Sequence, residues 1–177
     1  MATNAIRHIK TTTLGSSTSN INFASIPSTY KSLLFKLSIR TDRSATTDTL
    51  VITVNGLSTS IYLRPFLVAN GTTKSGVSTR ITSTTSWSIP NAINGASSTS
   101  NYYSYGEVLF PDYQIANAKS GIATFSANHN ATGGSYLTQS GLGLNSTAAI
   151  TSVEFGPGIG TNFLTNSSIS LYGILNS

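Results

Sequence analysis

Acid–base, nucleophilic or metal chemistry in this chain of 177 residues would have to be assembled from two histidines, five acids and a large number of hydroxyls. His8 and His129 have no His, Asp or Glu at metal-ligand spacing, and cysteine is absent, which removes thiolate metal sites and a disulfide framework together. His129, in ANHNATGG, reads as a loop residue. The serines are not set in a GxSxG-type elbow, so a Ser-His-Asp hydrolase has no anchor. Glu107 and Asp112 form a neighbouring acid pair of the kind a glycosidase places on either side of a sugar bond. They flank the apolar run Val108-Leu109-Phe110, however, where a salt bridge or a turn cap is the simpler use. The run Gly156-Pro157-Gly158-Ile159-Gly160 is only superficially a phosphate loop, because it lacks the lysine and leads into a strand; it reads as a turn. The sequons at Asn70, Asn130, Asn145 and Asn166 arise by composition in a chain so rich in Asn, Ser and Thr. No catalytic residue, cofactor or metal is assigned, and the chain is expected to work by binding.

The residues suited to binding are aromatic and cationic. Tyr102, Tyr103, Tyr105, Phe110 and Tyr113 crowd one short span, and two uses fit them. Exposed rings flanked by Asn and Asp can stack on sugars, while amphipathic tyrosines equally suit a subunit interface, which is the preferred reading. Trp87 is either a plug in the core or a contact anchor. Lys36, Arg40 and Arg43 are candidates to meet acidic groups on a protein partner. Tyr172 and Ile174 share a face opposite Ile169 and Leu171, and are expected to pack on a second layer or a sister subunit.

Strands must position all of these. Leu33, Phe35, Leu37 and Ile39 alternate with Leu34, Lys36, Ser38 and Arg40, which predicts a core strand with one cationic face. Leu50, Ile52 and Val54 share a face in the next run, and Asn55-Gly56 supplies a turn that accepts positive φ. Residues 6–14 read as a strand or arm whose Arg7, His8 and Lys10 must find solvent or a partner, and Ile21 and Phe23 mark a half-buried strand ended by Pro27. Pro65 places the run from 60 to 68 at an edge or a bulge. Residues 70–100, with apolar punctuation only at Val77, Ile81, Trp87, Ile89 and Ile93, predict one or two short strands within long loops. Further strands are expected at 108–110, at Ala123, Phe125 and Ala127, and more weakly at 136–144. Gly133-Gly134 separates the last two. In the closing stretch, 147–175, Ile150 with Val153 and Phe155 gives an imperfect alternation that a bulge would reconcile, followed by the strand of Ile169 and Leu171. Nothing shows helical spacing over three turns.

Composition limits the function. Charged residues make up 8% of the chain, against roughly a quarter in ordinary soluble domains. Ser, Thr and Asn replace them, and so neutral a surface suits an assembly better than a crowded monomer. Net charge is +5 from ten scattered bases and five acids. Without a basic run, no specific nucleic-acid partner is expected. The start has no signal-peptide core and no apolar run could span a bilayer, so synthesis in a cytoplasm and no membrane partner are expected.

The segments FASIPSTYKSLLFKLSIRTD (23–42), TLVITVNG (49–56), FPDYQIANAK (110–119) and AITSVEFGPGIGTNFLTNSSISLYGIL (149–175) carry a resemblance. Together they look like a domain recurrent in tailed-bacteriophage virion proteins: an entry of the form IP..Y..L, a V.VNG-like strand, a central DY followed by Asn, and a closing strand ending in LYG. The likeness departs through residues 62–100. It implies a jelly-roll β-sandwich serving as a head decoration, cement or fibre protein, a homo-oligomer such as a trimer seated on the major capsid protein at the capsid surface. The alternative is a tail-fibre or receptor module that binds a host glycan. A secreted carbohydrate-active enzyme is disfavoured by the scarce acids. The expected fold is thus an all-β, jelly-roll-type antiparallel sandwich of roughly eight to ten strands, one domain over residues 1–177, with 1–14 an N-terminal arm or edge strand.

Overall fold

The computed structural model describes residues 6–71, 73–129 and 134–175, with the side chains of all of these except 73–83. Every regular element among them is a strand. In chain order these are β1 (Ile6–Thr13), β2 (Ile21–Phe23), β3 (Ser32–Ile39), β4 (Thr47–Val54), β5 (Tyr62–Asn70) and β6 (Thr73–Thr84), then β7 (Trp87–Asn94), β8 (Ser104–Pro111), β9 (Lys119–Ala127), β10 (Tyr136–Leu144), β11 (Val153–Pro157) and β12 (Ser168–Ile174). They form two antiparallel sheets packed as a sandwich. One has eight strands in the order β1-β12-β3-β8-β9-β10-β5-β6, and the other four in the order β2-β11-β4-β7. Twelve strands exceed the eight to ten expected, and residues 70–100 hold two strands that are long, not short ones within long loops. Thr and Ser alternate there without an apolar stripe, so strand periodicity was masked. The Asn130 sequon and Gly133 lie outside the described residues, as do residues 1–5 of the expected arm.

The alternating pattern of β3 does what its spacing predicts. Leu33, Phe35, Leu37 and Ile39 are buried against the smaller sheet, and the residues between them face outward. From the smaller sheet come Ile21 and Phe23 of β2, Leu50, Ile52 and Val54 of β4, and Val153 and Phe155 of β11, all buried. Phe35 stands at the centre, edge-on to Phe155 at 5.1 Å, Phe23 at 5.4 Å and Phe110 at 6.3 Å. Such contacts add to area burial, and truncating a ring so placed costs about 3–5 kcal/mol.

Turns and irregularities fall where the backbone chemistry allows them. Asn55 (φ 53°) and Gly56 (φ 64°) both take the left-handed conformation after β4, the geometry that an Asn-Gly pair tolerates. Opposite Pro65, the register between β5 and β6 slips twice, so the proline sits at a bulge, with β6 outside it. Ile150 precedes β11 instead of joining it. It is buried, and its N–H donates to Tyr113 O at 2.9 Å, so the imperfect alternation reflects a strand that begins at Val153.

At the sheet's edge, β1 pairs with β12 and its side chains are mostly exposed. Two of its side chains find partners: Lys10 Nζ lies 5.7 Å from the centre of the Phe23 ring, and the His8 ring is edge-on to Tyr172 at 5.4 Å. A register shift between His8 and Lys10 bends the strand, which with the inserted charges blunts the edge against pairing.

Candidate interaction surface

The aromatic and cationic candidates do not form one surface. Trp87 is fully buried; its Nε1–H donates to Gly143 O at 3.0 Å and Leu63 O at 3.2 Å, and its ring meets Tyr62 at 4.9 Å and stacks on Phe110 at 5.5 Å. It is the core plug, not an anchor. Tyr113 is also buried, its hydroxyl donating to Pro27 O, so it leaves the interface set. Position in the sandwich explains both: one begins β7 and the other follows β8, where the two sheets meet.

Arg40 is corrected as well. It is only 6% exposed, and its guanidinium donates to Thr99 O (2.7 Å), Ser98 O (3.0 Å), Ala96 O (3.2 Å) and Tyr102 O (3.3 Å). A planar fork of donors satisfies several carbonyls at once, and here it ties residues 96–102 to the end of β3. Alternation put Arg40 on the outer face, but the sheet ladder ends at Ile39, and the chain turns there. Arg43 lies partly exposed in the β3–β4 connection, donating to Thr47 O at 2.8 Å beside Asp48 at 3.9 Å. Lys36 does reach the surface, 3.4 Å from Glu107.

The remaining tyrosines lie at or near the surface. Tyr102 and Tyr105 are exposed, and Tyr103 is half-buried with its hydroxyl on Thr165 O at 2.7 Å. The Tyr105 hydroxyl donates to Glu107 Oε1. That bond, then partial burial and the carboxylate's charge, push its pKa up to about 12. Glu107 is therefore held by Lys36 and Tyr105, and Asp112 by an ion pair with Lys31. The two acids serve as local ties, as their flanking of Val108-Leu109-Phe110 suggested. Among the described residues no three of His, Asp and Glu gather to hold a metal ion.

What does form a continuous surface is the outer face of the eight-stranded sheet. Reading across the ladders, His8 lies opposite Tyr172, Tyr172 opposite Leu34, Leu34 opposite Leu109, Leu109 opposite Ile122, and Ile122 opposite Gly141. A Cβ at Gly141 would come within 3.1 Å of Pro65. One transverse row of apolar and aromatic groups thus crosses from β1 to β5. Tyr172 is half-buried in that row, while Ile169 and Leu171 complete the core. Along β9, β10 and β5 the outward positions are Ser, Thr, Gln, Gly, Ala, Pro and aliphatic residues without a charge, and Leu137 (55%), Leu67 (52%) and Ile122 (41%) are exposed there. A shallow, open hollow of about 290 Å³ lies on this face, bounded among the described residues by Pro65, Phe66, Leu67, Ile122, Gln139 and Gly141.

Sequence reasoning missed this face. Period-2 alternation identifies buried positions, whereas an exposed row depends on which strands are neighbours, and β9, β10 and β5 are brought together only by topology. It also missed Asp42 and Asp48, which fix the 157–162 loop. Asp48 is fully buried and accepts the N–H groups of Thr49 (2.7 Å), Gly160 (3.0 Å) and Ile159 (3.2 Å). Asp42 accepts those of Thr161 (2.7 Å) and Asn162 (3.0 Å) and the Asn162 side-chain amide (3.0 Å). Partial burial alone would raise the Asp42 pKa, but these bonds favour the carboxylate and lower it below the usual value.

No family model, curated protein or solved structure matches this chain.

Proposed function

We propose that the chain is a non-enzymatic virion structural protein: a capsid decoration or cement protein of a tailed bacteriophage, acting as a homo-oligomer, with a trimer the favoured form, on the major capsid lattice. The observation that carries this reading is the charge-free apolar face of β9, β10 and β5. An exposed row of this kind, on a protein with few charges elsewhere, marks a surface meant to be covered. The strand order supports the jelly-roll reading. The small sheet β2-β11-β4-β7 faces a large sheet in which β3-β8 and β5-β6 are separated by the β9–β10 hairpin, and β12 and β1 extend its other side. Removing that hairpin and the extension leaves two four-stranded sheets with the chain crossing between them at each connection except the β5–β6 hairpin, as in a double Greek key.

Cementing needs no chemistry from the protein. Copies that bind each other and the shell weakly at several points are held strongly as a set, because each further contact is made at high effective concentration. Lys36 and Arg43 remain as cations for acidic groups on the shell. Replacing both by Gln is expected to reduce occupancy on purified capsids at moderate salt, measured by co-sedimentation; undiminished occupancy removes the electrostatic part of the reading.

The exposed rings of Tyr102 and Tyr105 support the alternative, a fibre module that binds host glycan. A glycan array separates the two. Saturable sugar binding without capsid binding would assign the fibre role, whereas cementing predicts capsid binding and a silent array.

A further inference from the structure

Ten bases stand against five acids in the chain, and most of the described cations are already engaged. Lys31, Lys36 and Arg43 lie against Asp112, Glu107 and Asp48. Arg40 and Lys119 are buried and donate to backbone carbonyls, and Arg64 donates to Ser88 O beside the ring of Phe66. The two remaining acids are turned elsewhere. Asp42 holds the amides of Thr161 and Asn162, and Glu154 stands between the buried Val153 and Phe155, on the outer face of the small sheet. Among the described side chains, Arg7 and Lys10 are thus the exposed cations in no ion pair, and both belong to β1.

We infer that the free edge of β1 takes up an extended acidic segment of a partner protein as a further strand of the large sheet. Among the described residues β1 has one neighbouring strand, β12, so its other edge leaves backbone N–H and C=O groups free to pair. In an unbroken strand residues 7 and 10 would point to opposite faces. The register shift after His8 instead sets Arg7 opposite Gly173 and Lys10 opposite Leu171, both buried positions, so the two cations share the side turned toward the small sheet. His8 and Thr11 share the other side, with Nε2 and Oγ1 2.8 Å apart. The small sheet ends at β2, whose Phe23 ring lies beneath Lys10, and both cations stay exposed there. An added strand with carboxylates at alternate positions would place them in one row on that side. A second copy of β1 would set cation against cation, and an uncharged strand would leave both without a counter-charge. The charges that blunt the edge against those partners therefore select an acidic one. This contact goes beyond the cementing reading, because it is defined by the chemistry of the segment and holds whichever protein carries it.

Binding of a labelled peptide of alternating Glu and Thr, about ten residues long, to the full chain tests this by fluorescence anisotropy. Saturable binding that weakens with salt is expected, with added hydrogen-exchange protection confined to β1. Arg7→Gln combined with Lys10→Gln, in a chain shown to be folded by circular dichroism, is expected to weaken it about fivefold to tenfold. Arg7→Glu combined with Lys10→Glu is expected to transfer the preference to a peptide of alternating Lys and Thr. The Glu-Thr peptide with alternate amides N-methylated keeps its charge and loses the donors of one edge, and it is expected to bind far more weakly. Equal binding of that peptide would mean attraction by charge without strand addition, and unchanged binding by the Gln variant would put the site elsewhere. Either result overturns the inference, as does a chain that binds no Glu-Thr peptide. Cementing through the charge-free face would stand in each case, because capsid occupancy is measured separately.

Discussion

At the scale of single residues, the groups most suited to chemistry are spent on holding the chain together. Arg40 satisfies four carbonyls of residues 96–102, and Lys119 donates to Ile115 O and Asn117 O, each at 2.6 Å. Asp48 is the most demanding, a buried carboxylate that accepts three backbone N–H groups. Asp48→Ala strands those donors and is expected to cost about 1–3 kcal/mol or more, read as a lower denaturant midpoint at unchanged slope. Tyr105 offers a titration. Its raised pKa means the bond to Glu107 favours the protonated phenol, so its contribution is complete below the ordinary value of 10.0 and is lost as pH rises through about 12. Ultraviolet titration of Glu107→Gln is expected to bring Tyr105 back toward 10.0; an unshifted curve would break the link. For Asp42 the sign is opposite. A lowered pKa gives stability that is present above 3.8 and lost as pH falls through the folded value. Loss of hydrogen-exchange protection at Thr161 and Asn162 in acid, taken relative to the intrinsic rate at each pH and absent near neutrality, is the expected sign.

At the scale of elements, the fold depends on close approach between strands. Gly106 of β8 lies directly under the Phe125 ring, where an added Cβ would fall 2.0 Å from a ring carbon. Gly106→Ala is therefore expected to destabilise by about 1–3 kcal/mol through overpacking, measured by thermal or chemical unfolding; no loss would show that Phe125 can move aside freely. The strands that could be read from sequence, β3, β4 and β9, have one buried face and one wet face, so alternation reports them. The length of β6 was hidden, because it carries Ser and Thr along most of its length and shows no clean period, whereas Pro65 marked β5 as a strand with a bulge. The same limit hid the role of Tyr62, whose hydroxyl accepts from Val54 N–H at 3.1 Å and donates to Leu57 O at 2.8 Å, bracing the Asn55-Gly56 turn from the next strand. The candidate cations suffered from the converse error: alternation was carried one residue past the end of β3, and placed Arg40 in solvent.

At the scale of the whole molecule, the uneven sheets have a consequence. The small sheet covers only the inner face of the large one, so β1, with its blunted edge, and the outer face of β9, β10 and β5 are left to water or to a neighbour. The composition agrees with a neighbour: so few charges leave little to keep copies apart, and the exposed Leu67, Ile122 and Leu137 share a face whose outward positions on β9, β10 and β5 carry no charge. The proposed cementing role rests on these features together with the resemblance read from the sequence, and the location of the protein tests it most directly. Cryo-electron microscopy of the purified particle should show this sandwich in regular copies on the outside of the capsid, with Leu67, Ile122 and Leu137 covered by an adjoining subunit. Density only at the tail tip, or a particle that lacks the protein, would contradict it.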